Sequence, residues 1–293
     1  NTFMKFVHTF WSKPFLSNKF NNKNTNIPVI LSDYAYSVAC IKKYEGHTIR
    51  LFTDKFGAEM LGWLPYDEII VLDNLDNENV HFAAQIKFHA LKQMELDECI
   101  MDGDLFLRNN CAINHIETLK PDCLYSFYEP QTYVLRRKDN YFAIIKEKLV
   151  KHNDEFDDLY KINETDIFEW PNTSLLKFNN NKIKDLYIEQ YFKNKKILEN
   201  EEYGEVWPDI WIEQKNLEKL INSTGCSCAP AVYGFPANAA EMYAVMIGYC
   251  HLGADKINIK DTVFEWLRKT NEDLYNETLA HINKLQKLFE NEQ

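Results

Sequence analysis

Short apolar runs alternate with helical patterns through the N-terminal third of the chain, and few folds accept that alternation. Lys5-Phe6-Val7-His8-Thr9-Phe10 reads as a strand, followed by a polar, Asn-rich loop from Ser17 to Asn26. A helix is expected from about Ser32 to Tyr44, with Ser32 as N-cap, Ala35, Val38 and Ala39 on one face, and Gly46 at the stop. Ile49 to Phe52 is a second strand ending at Thr53-Asp54, Phe56 to Leu64 a short helix, and Glu68 to Leu72 a third strand. Phe82 to Glu95 is helical and leads into a further strand at Cys99. Strand, helix, strand, helix, strand implies a parallel sheet with right-handed crossovers, an α/β architecture. Ligands collect at the carboxyl ends of such strands.

The strand at Cys99-Ile100-Met101 stops at Asp102-Gly103-Asp104 and is followed by Leu105-Phe106-Leu107. At that strand end two carboxylates can converge on one point, where a hard divalent cation takes oxygen ligands. Mg²⁺ or Mn²⁺ held by one or two carboxylates draws its remaining ligands from water and substrate phosphates. The same tripeptide also suits a plain polar turn between two strands.

The second half is less regular. Cys123 to Phe127 and Ser174 to Phe178 read as strands, and Tyr133 to Lys151, about Lys182 to Leu198, and Asp209 to Asn222 as helices. Thr262 to Phe289 carries one or two amphipathic helices. With neither an internal repeat nor a Gly/Ser linker, one continuous α/β domain is expected, spanning 4–260, with a helical segment 261–293 packed on it.

Charge narrows the function. A net charge of −11 argues against a general nucleic-acid binder, which needs a basic footprint. The seven cysteines are scattered, with Cys226 and Cys228 the only close pair, so reduced thiols in a cytoplasm are expected in preference to a disulfide framework or a zinc site. There is no apolar run long enough for a transmembrane helix and no signal-peptide pattern.

Three later segments can carry chemistry. Asn172-Thr173-Ser174 precedes an apolar strand, where the Asn amide can enter a cleft, though Asn after Pro171 is also an ordinary turn. Glu213-Gln214 lies on an expected helix, where one or both can face a site or simply solvent. His251-Leu252-Gly253-Ala254-Asp255-Lys256 can combine a metal ligand, a close backbone approach and a cation for phosphate.

In this order the motifs resemble the GT-A glycosyltransferases that use nucleotide-sugar donors, especially the retaining galactosyltransferase and glycogenin type. Asp102/Asp104 match the family's Asp-x-Asp, and Asn172-Thr173-Ser174 its Asn-Ala-Gly-like segment. Glu213-Gln214 match its acid-Gln pair, and His251/Gly253/Lys256 its His-x-Gly-x-x-Lys. Ala83 to Leu91 looks like the segment whose basic residue, here Lys87, touches the donor. Phe6 to Pro14 resembles a group of uncharacterised bacterial GT-A-like proteins. The chain departs from the pattern at Ser174 (usually Gly), Glu213 (usually Asp) and Ile257 (commonly Pro-Trp).

The resemblance implies a GT-A-like, Rossmann-like, mostly parallel sheet flanked by helices, and a metal-dependent transfer of sugar from a nucleotide sugar, UDP-linked by analogy, with retention. Asp102, Asp104 and His251 would hold Mn²⁺ or Mg²⁺, and Lys256 would add charge at the diphosphate. Glu213, Gln214 and Asn172 would line the sugar at an oxocarbenium-like transition state. His8, Thr9, Phe10 and Asp54, at the ends of the first two strands, would lie near the base. The acceptor would be a glycan or small molecule, such as a bacterial polysaccharide precursor, used in the cytoplasm or peripherally at the inner face of the membrane. A sugar nucleotidyltransferase is the first competing reading, but Trp11-Ser12-Lys13-Pro14 stands where its Gly-rich phosphate loop belongs. The second is a non-catalytic glycan- or nucleotide-binding protein of the same fold; the 6 Trp, 16 Tyr and 19 Phe would suit stacking on sugars.

Overall fold

The computed structural model describes residues 3–17, 23–75, 78–129, 141–163, 170–204, 208–209, 211–232, 248–252 and 259–290. In chain order it begins with β1 (Lys5–Phe10), α1 (Ser12–Leu16), α2 (Lys23–Lys42), β2 (Thr48–Thr53), α3 (Lys55–Leu61) and β3 (Glu68–Val71). Next come α4 (Gln85–Leu91), β4 (Glu98–Met101), β5 (Leu105–Leu107), α5 (Asn110–Thr118), β6 (Cys123–Tyr125), β7 (Tyr128–Glu129), α6 (Tyr141–Val150), β8 (Trp170–Pro171), β9 (Leu175–Phe178) and α7 (Asn181–Leu198). A π-helical turn over Trp211–Lys215 runs into α8 (Asn216–Thr224), then β10 (Cys228–Pro230), β11 (Tyr249–His251), α9 (Lys260–Thr270) and α10 (Glu272–Glu290). Two compact units result, one of Asn1–Asp76, Glu98–Thr118 and Ala244–Gln293, the other of Asn77–Asp97 and Leu119–Tyr243.

In the first unit β1 pairs parallel with both β2 and β4, and β2 pairs parallel with β3. The expected strand–helix–strand reading holds here. Phe6, Val7, Ile49, Leu51, Phe52, Cys99, Ile100 and Met101 are all buried, the mark of a parallel sheet covered on both faces. Glu98 can sit buried in β4 because Arg50 on β2 pairs with it at 2.5 Å. The C-terminal helices α9 and α10 pack on α2 within this unit.

Helix α2 corrects the expected 32–44 span, because it begins at Lys23 and runs through Pro28. Ser32 does not cap it; its hydroxyl donates to the Val29 carbonyl at 3.0 Å inside the helix. Ile27, Val29, Leu31, Ala35 and Val38 are buried, so burial of a long apolar face outweighs the hydrogen bond that proline removes. Asp54 is the true cap signal of the region, accepting from Gly57 N at 3.1 Å at the start of α3.

In the second unit β6 pairs parallel with β10 and antiparallel with β9. In the main sheet the pairing is therefore mostly parallel, with β9 antiparallel to β6, and helices flank the strands. The expected helix at Phe82–Glu95 is shorter: its regular part begins at Gln85, where Asp209 Oδ2 accepts from Ala84 N at 2.7 Å. Phe88 on α4 stacks on Tyr191 of α7 with ring centroids 3.6 Å apart, fastening these helices together. The expected helix at Asp209–Asn222 is a π turn followed by α8. Of the expected helix Tyr133–Lys151, residues 141–150 are helical; Arg136, Arg137 and Lys138 lie outside the described residues.

His8 is fully buried in β1, with Nδ1 2.9 Å from Tyr66 Oη and Nε2 3.1 Å from Ser37 Oγ. Burial lowers its pKa to about 3, partly opposed by the charge of Asp104. Below pH about 6.5 the unfolded chain takes up a proton at His8 that the folded chain refuses until pH about 3, so stability falls as pH falls through that window. The slope expected from this one group is about 1.4 kcal/mol per pH unit. Urea denaturation of wild type and His8→Gln from pH 7 to pH 4, with chelator present, measures it; the variant should show a shallower acid-side loss. Parallel pH profiles would show that His8 does not carry this term.

Candidate functional site

The Asp102-Gly103-Asp104 turn closes with Leu105 N donating to Asp102 O at 3.1 Å, so β4 ends and β5 starts within one tight reversal. Gly103 is required there by its neighbour: a Cβ at this position would stand 2.4 Å from the Tyr34 ring. Tyr34 is held against the turn by its own hydroxyl, which donates to Thr9 O at 2.6 Å. Its phenol pKa is pushed well up, by burial first and then by the charges of Asp102, Asp104 and Asp33. Sequence reading missed Tyr34, since nothing local to α2 signals a contact with a turn so distant in the chain.

β5 leaves the parallel sheet and pairs antiparallel with β11. The register sets His251 opposite Leu105, and Leu252 N donates to Asp104 O at 3.1 Å. His251 Nε2 lies 3.6 Å from Asp104 Oδ1. One ligand atom from each of Asp102, Asp104 and His251 falls within 4.8 Å of the others, and this is the one such set of three among the described residues. Two carboxylates and an imidazole are a donor set that fits Mn²⁺ or Mg²⁺, with positions left for water and phosphate oxygens. These three expected ligands are therefore brought together. Gly253 and Lys256 of the same motif lie outside the described residues.

In the second unit the expected Lys87, Asn172 and Glu213 belong to one hydrogen-bonded region. Lys87 Nζ is 2.5 Å from Glu213 Oε1 and donates to Thr173 O at 3.0 Å. The Thr173 hydroxyl donates to the same Glu213 oxygen at 2.6 Å. Tyr187 adds a third fastening, its hydroxyl donating to Glu213 O at 2.8 Å. Asn172 Oδ1 accepts from Ser174 N at 2.9 Å, the Asx-type turn that its position after Pro171 suggests. Ser174, where the resembled family has Gly, uses its hydroxyl to bond Ser126 Oγ at 2.8 Å. Gln214 Oε1, next to Glu213 on the π turn, is buried and has no hydrogen-bond partner among the described residues. π turns recur at functional positions.

The remaining expected residues sit at the ends of β1 and β2 but serve the fold. Asp54 accepts from Ser12 N at 3.0 Å, from the Ser12 hydroxyl and from Gly57 N. Phe10 O accepts from Thr53 Oγ1 at 2.6 Å and Thr9 O from Tyr34. His8 has no exposed surface, so in this structure it presents nothing to a ligand. Asp209 reads in sequence only as the start of a helix; burial pushes its carboxyl pKa well up, while it holds the start of the helix that carries Lys87.

A family described as "Family of unknown function (DUF6734)" matches residues 4–120. No curated protein matches the chain. Three similar solved structures are glycosyltransferases by name, the class that the motifs resemble. The galactosyltransferase LgtC, solved in complex with donor and acceptor sugar analogues, is 10% identical over 91% of this chain and 96% of its own, with a TM-score of 0.46. The glycosyltransferase GlyE of Streptococcus pneumoniae TIGR4 is 11% identical over 96% of this chain and 64% of its own, at 0.43. Mouse xyloside xylosyltransferase 1 is 8% identical over 74% and 84%, at 0.34.

The Lys87–Glu213 pair is buried on both sides. Replacing Lys87 by Met strands a carboxylate away from water and should cost about 3–5 kcal/mol of unfolding free energy. Lys87→Met combined with Glu213→Gln removes both charges and should recover most of that loss in the same denaturation assay. A double variant no more stable than the single one would show that the two charges do not depend on each other.

Proposed function

We propose that this chain is a metal-dependent glycosyltransferase of the GT-A type, taking its sugar from a UDP-linked donor and passing it, with retention, to a glycan or small-molecule acceptor. The observation that carries the reading is the convergence of Asp102, Asp104 and His251 at the turn between β4 and β5. These residues would hold Mn²⁺ or Mg²⁺, which when bound neutralises charge on a leaving diphosphate as a Lewis acid. Lys256 would add positive charge at the same phosphates, as the resemblance implies.

Glu213 and Gln214 serve the sugar. The Lys87 ammonium and the Thr173 hydroxyl both bond one Glu213 oxygen, which fixes the carboxylate's orientation. An oriented carboxylate stabilises positive charge developing at an anomeric carbon. Gln214, beside Glu213 on the π turn, would orient the same sugar, as the resemblance implies. Asn172, turned back on its own strand, positions the Thr173 and Ser174 backbone beside them. Thr9 and Phe10 would lie near the base, as the resemblance implies, with His8 and Asp54 supporting the backbone there.

Calorimetric titration with UDP and GDP, in Mn²⁺ and then in chelator, tests the reading. Binding of UDP that chelator abolishes is expected, with Asp104→Ala losing at least about 10-fold in affinity in Mn²⁺. Binding indifferent to metal and to Asp104→Ala, or no binding of either nucleotide, overturns it.

A further inference from the structure

The thiols of Cys226 and Cys228 lie 3.3 Å apart, in direct contact. One residue separates them, and extended backbone puts such neighbours on a common face. Cys228 opens β10, and its register partner across the parallel ladder is Cys123 of β6. Cys123 also hydrogen-bonds the Cys228 sulfur through its side chain and its backbone. Three sulfurs therefore form a row with Cys228 in the middle; Cys123 is buried, and Cys226 and Cys228 are half-buried. The Cys226–Cys228 contact is the observation that points to sulfur–sulfur chemistry.

The loop is built to hold this contact. Ser227 N and its hydroxyl donate to Asp122 Oδ2 at 2.9 and 3.0 Å, and Asp122 N donates back to Ser227 Oγ at 3.0 Å. Asn180 fixes the other oxygen of Asp122 at 2.9 Å, and Cys123 N donates to Ser227 O at 3.2 Å. The residue between the two cysteines is thus tied on both its backbone and its side chain.

The cysteines also differ in kind. Hydrogen bonds from Cys123 and then Cys226 hold the Cys228 thiol below its ordinary range against the opposing effect of burial. Burial pushes Cys226 up to about 11 and Cys123 well up. The more nucleophilic thiolate and a protonated partner in contact with it are the two components a disulfide-forming pair needs.

We propose that Cys226-Ser227-Cys228 is a peroxide-reactive dithiol that closes into an intramolecular disulfide, with Cys228 reacting first. The Cys228 thiolate attacks one oxygen of hydrogen peroxide; the O–O bond breaks, the departing hydroxide takes a proton and leaves as water, and Cys228 becomes a sulfenic acid. The Cys226 sulfur then attacks the sulfenic sulfur, the S–O bond breaks and a second water leaves. Two thiols and one hydrogen peroxide give one disulfide and two waters, with two electrons passing from sulfur to oxygen.

The test uses the reduced full chain carrying Cys111→Ser, which removes the exposed thiol able to link copies. With hydrogen peroxide, intact mass should fall by two hydrogens per chain, map to the peptide containing Cys226 and Cys228, and return with dithiothreitol. Adding Cys226→Ser should leave a dimedone adduct on Cys228, and Cys228→Ser should leave Cys226 unlabelled. In the otherwise wild-type chain Cys228 should react at least about 10-fold faster than Cys111. A disulfide mapped elsewhere, a dimedone adduct on Cys226 in Cys228→Ser, or Cys228 reacting no faster than Cys111 overturns the proposal. The unsubstituted chain supplies the map and the rate by itself, so a poorly folding variant would not shield the idea.

Discussion

The short antiparallel ladder between β5 and β11 is the interaction on which the convergence of Asp102, Asp104 and His251 depends. Asp102 and Asp104 are neighbours in sequence, but His251 reaches them only because Tyr249–His251 pairs in one register with Leu105–Leu107. A slip of one residue would turn His251 to the opposite face. Two strands this short are marginal alone, so the ladder needs packing. Leu105, Phe106 and Leu107 are all buried; Phe106 lies 4.8 Å from Tyr36 of α2 and 6.4 Å from Trp266 of α9, centroid to centroid. Arg108, just past β5, stacks over Trp266 at 4.3 Å and donates to the Tyr36 hydroxyl at 3.1 Å. Helix α9, which reads in sequence as an appendage, therefore supports the strand that follows the Asp102-Gly103-Asp104 turn.

That dependence marks the boundary of what the amino-acid sequence discloses. β1, β2 and β4 are legible because strands buried on both faces need continuous apolar runs, and Phe6-Val7, Ile49 to Phe52 and Cys99 to Met101 supply them. Asp102-Gly103-Asp104 is legible as a turn with two oxygens, since glycine between acids has few other uses. The start of α2 is not, because an Asn-rich segment and Pro28 oppose helix by propensity, and only the tertiary burial of Ile27, Val29 and Leu31 reverses that. Nor is the burial of His8: its two hydrogen-bond partners, Ser37 and Tyr66, are set by how α2 and the loop before β3 cover β1. A histidine in a strand and a histidine at a ligand edge look alike until the covering elements are placed.

The Lys87–Glu213 pair bears on where positive charge can act in the proposed reaction. Lys87 was expected to touch a donor, yet its ammonium is committed to Glu213 and to Thr173 O. A carboxylate and an ammonium at 2.5 Å present little net charge beyond their own neighbourhood. On the proposed reading Lys87 acts on Glu213, fixing the orientation of the carboxylate that would face a sugar. Glu213 is one methylene longer than the Asp usual in the resembled family, and Thr173 and Lys87 both bond one of its oxygens. Compensation for the charge of a diphosphate then falls to the cation that Asp102, Asp104 and His251 would hold, together with Lys256. The chain's net charge of −11 makes that division of labour more demanding, because an acidic protein has little diffuse positive potential to offer a nucleotide. On this reading the metal is required for donor binding itself as well as for departure of the leaving group.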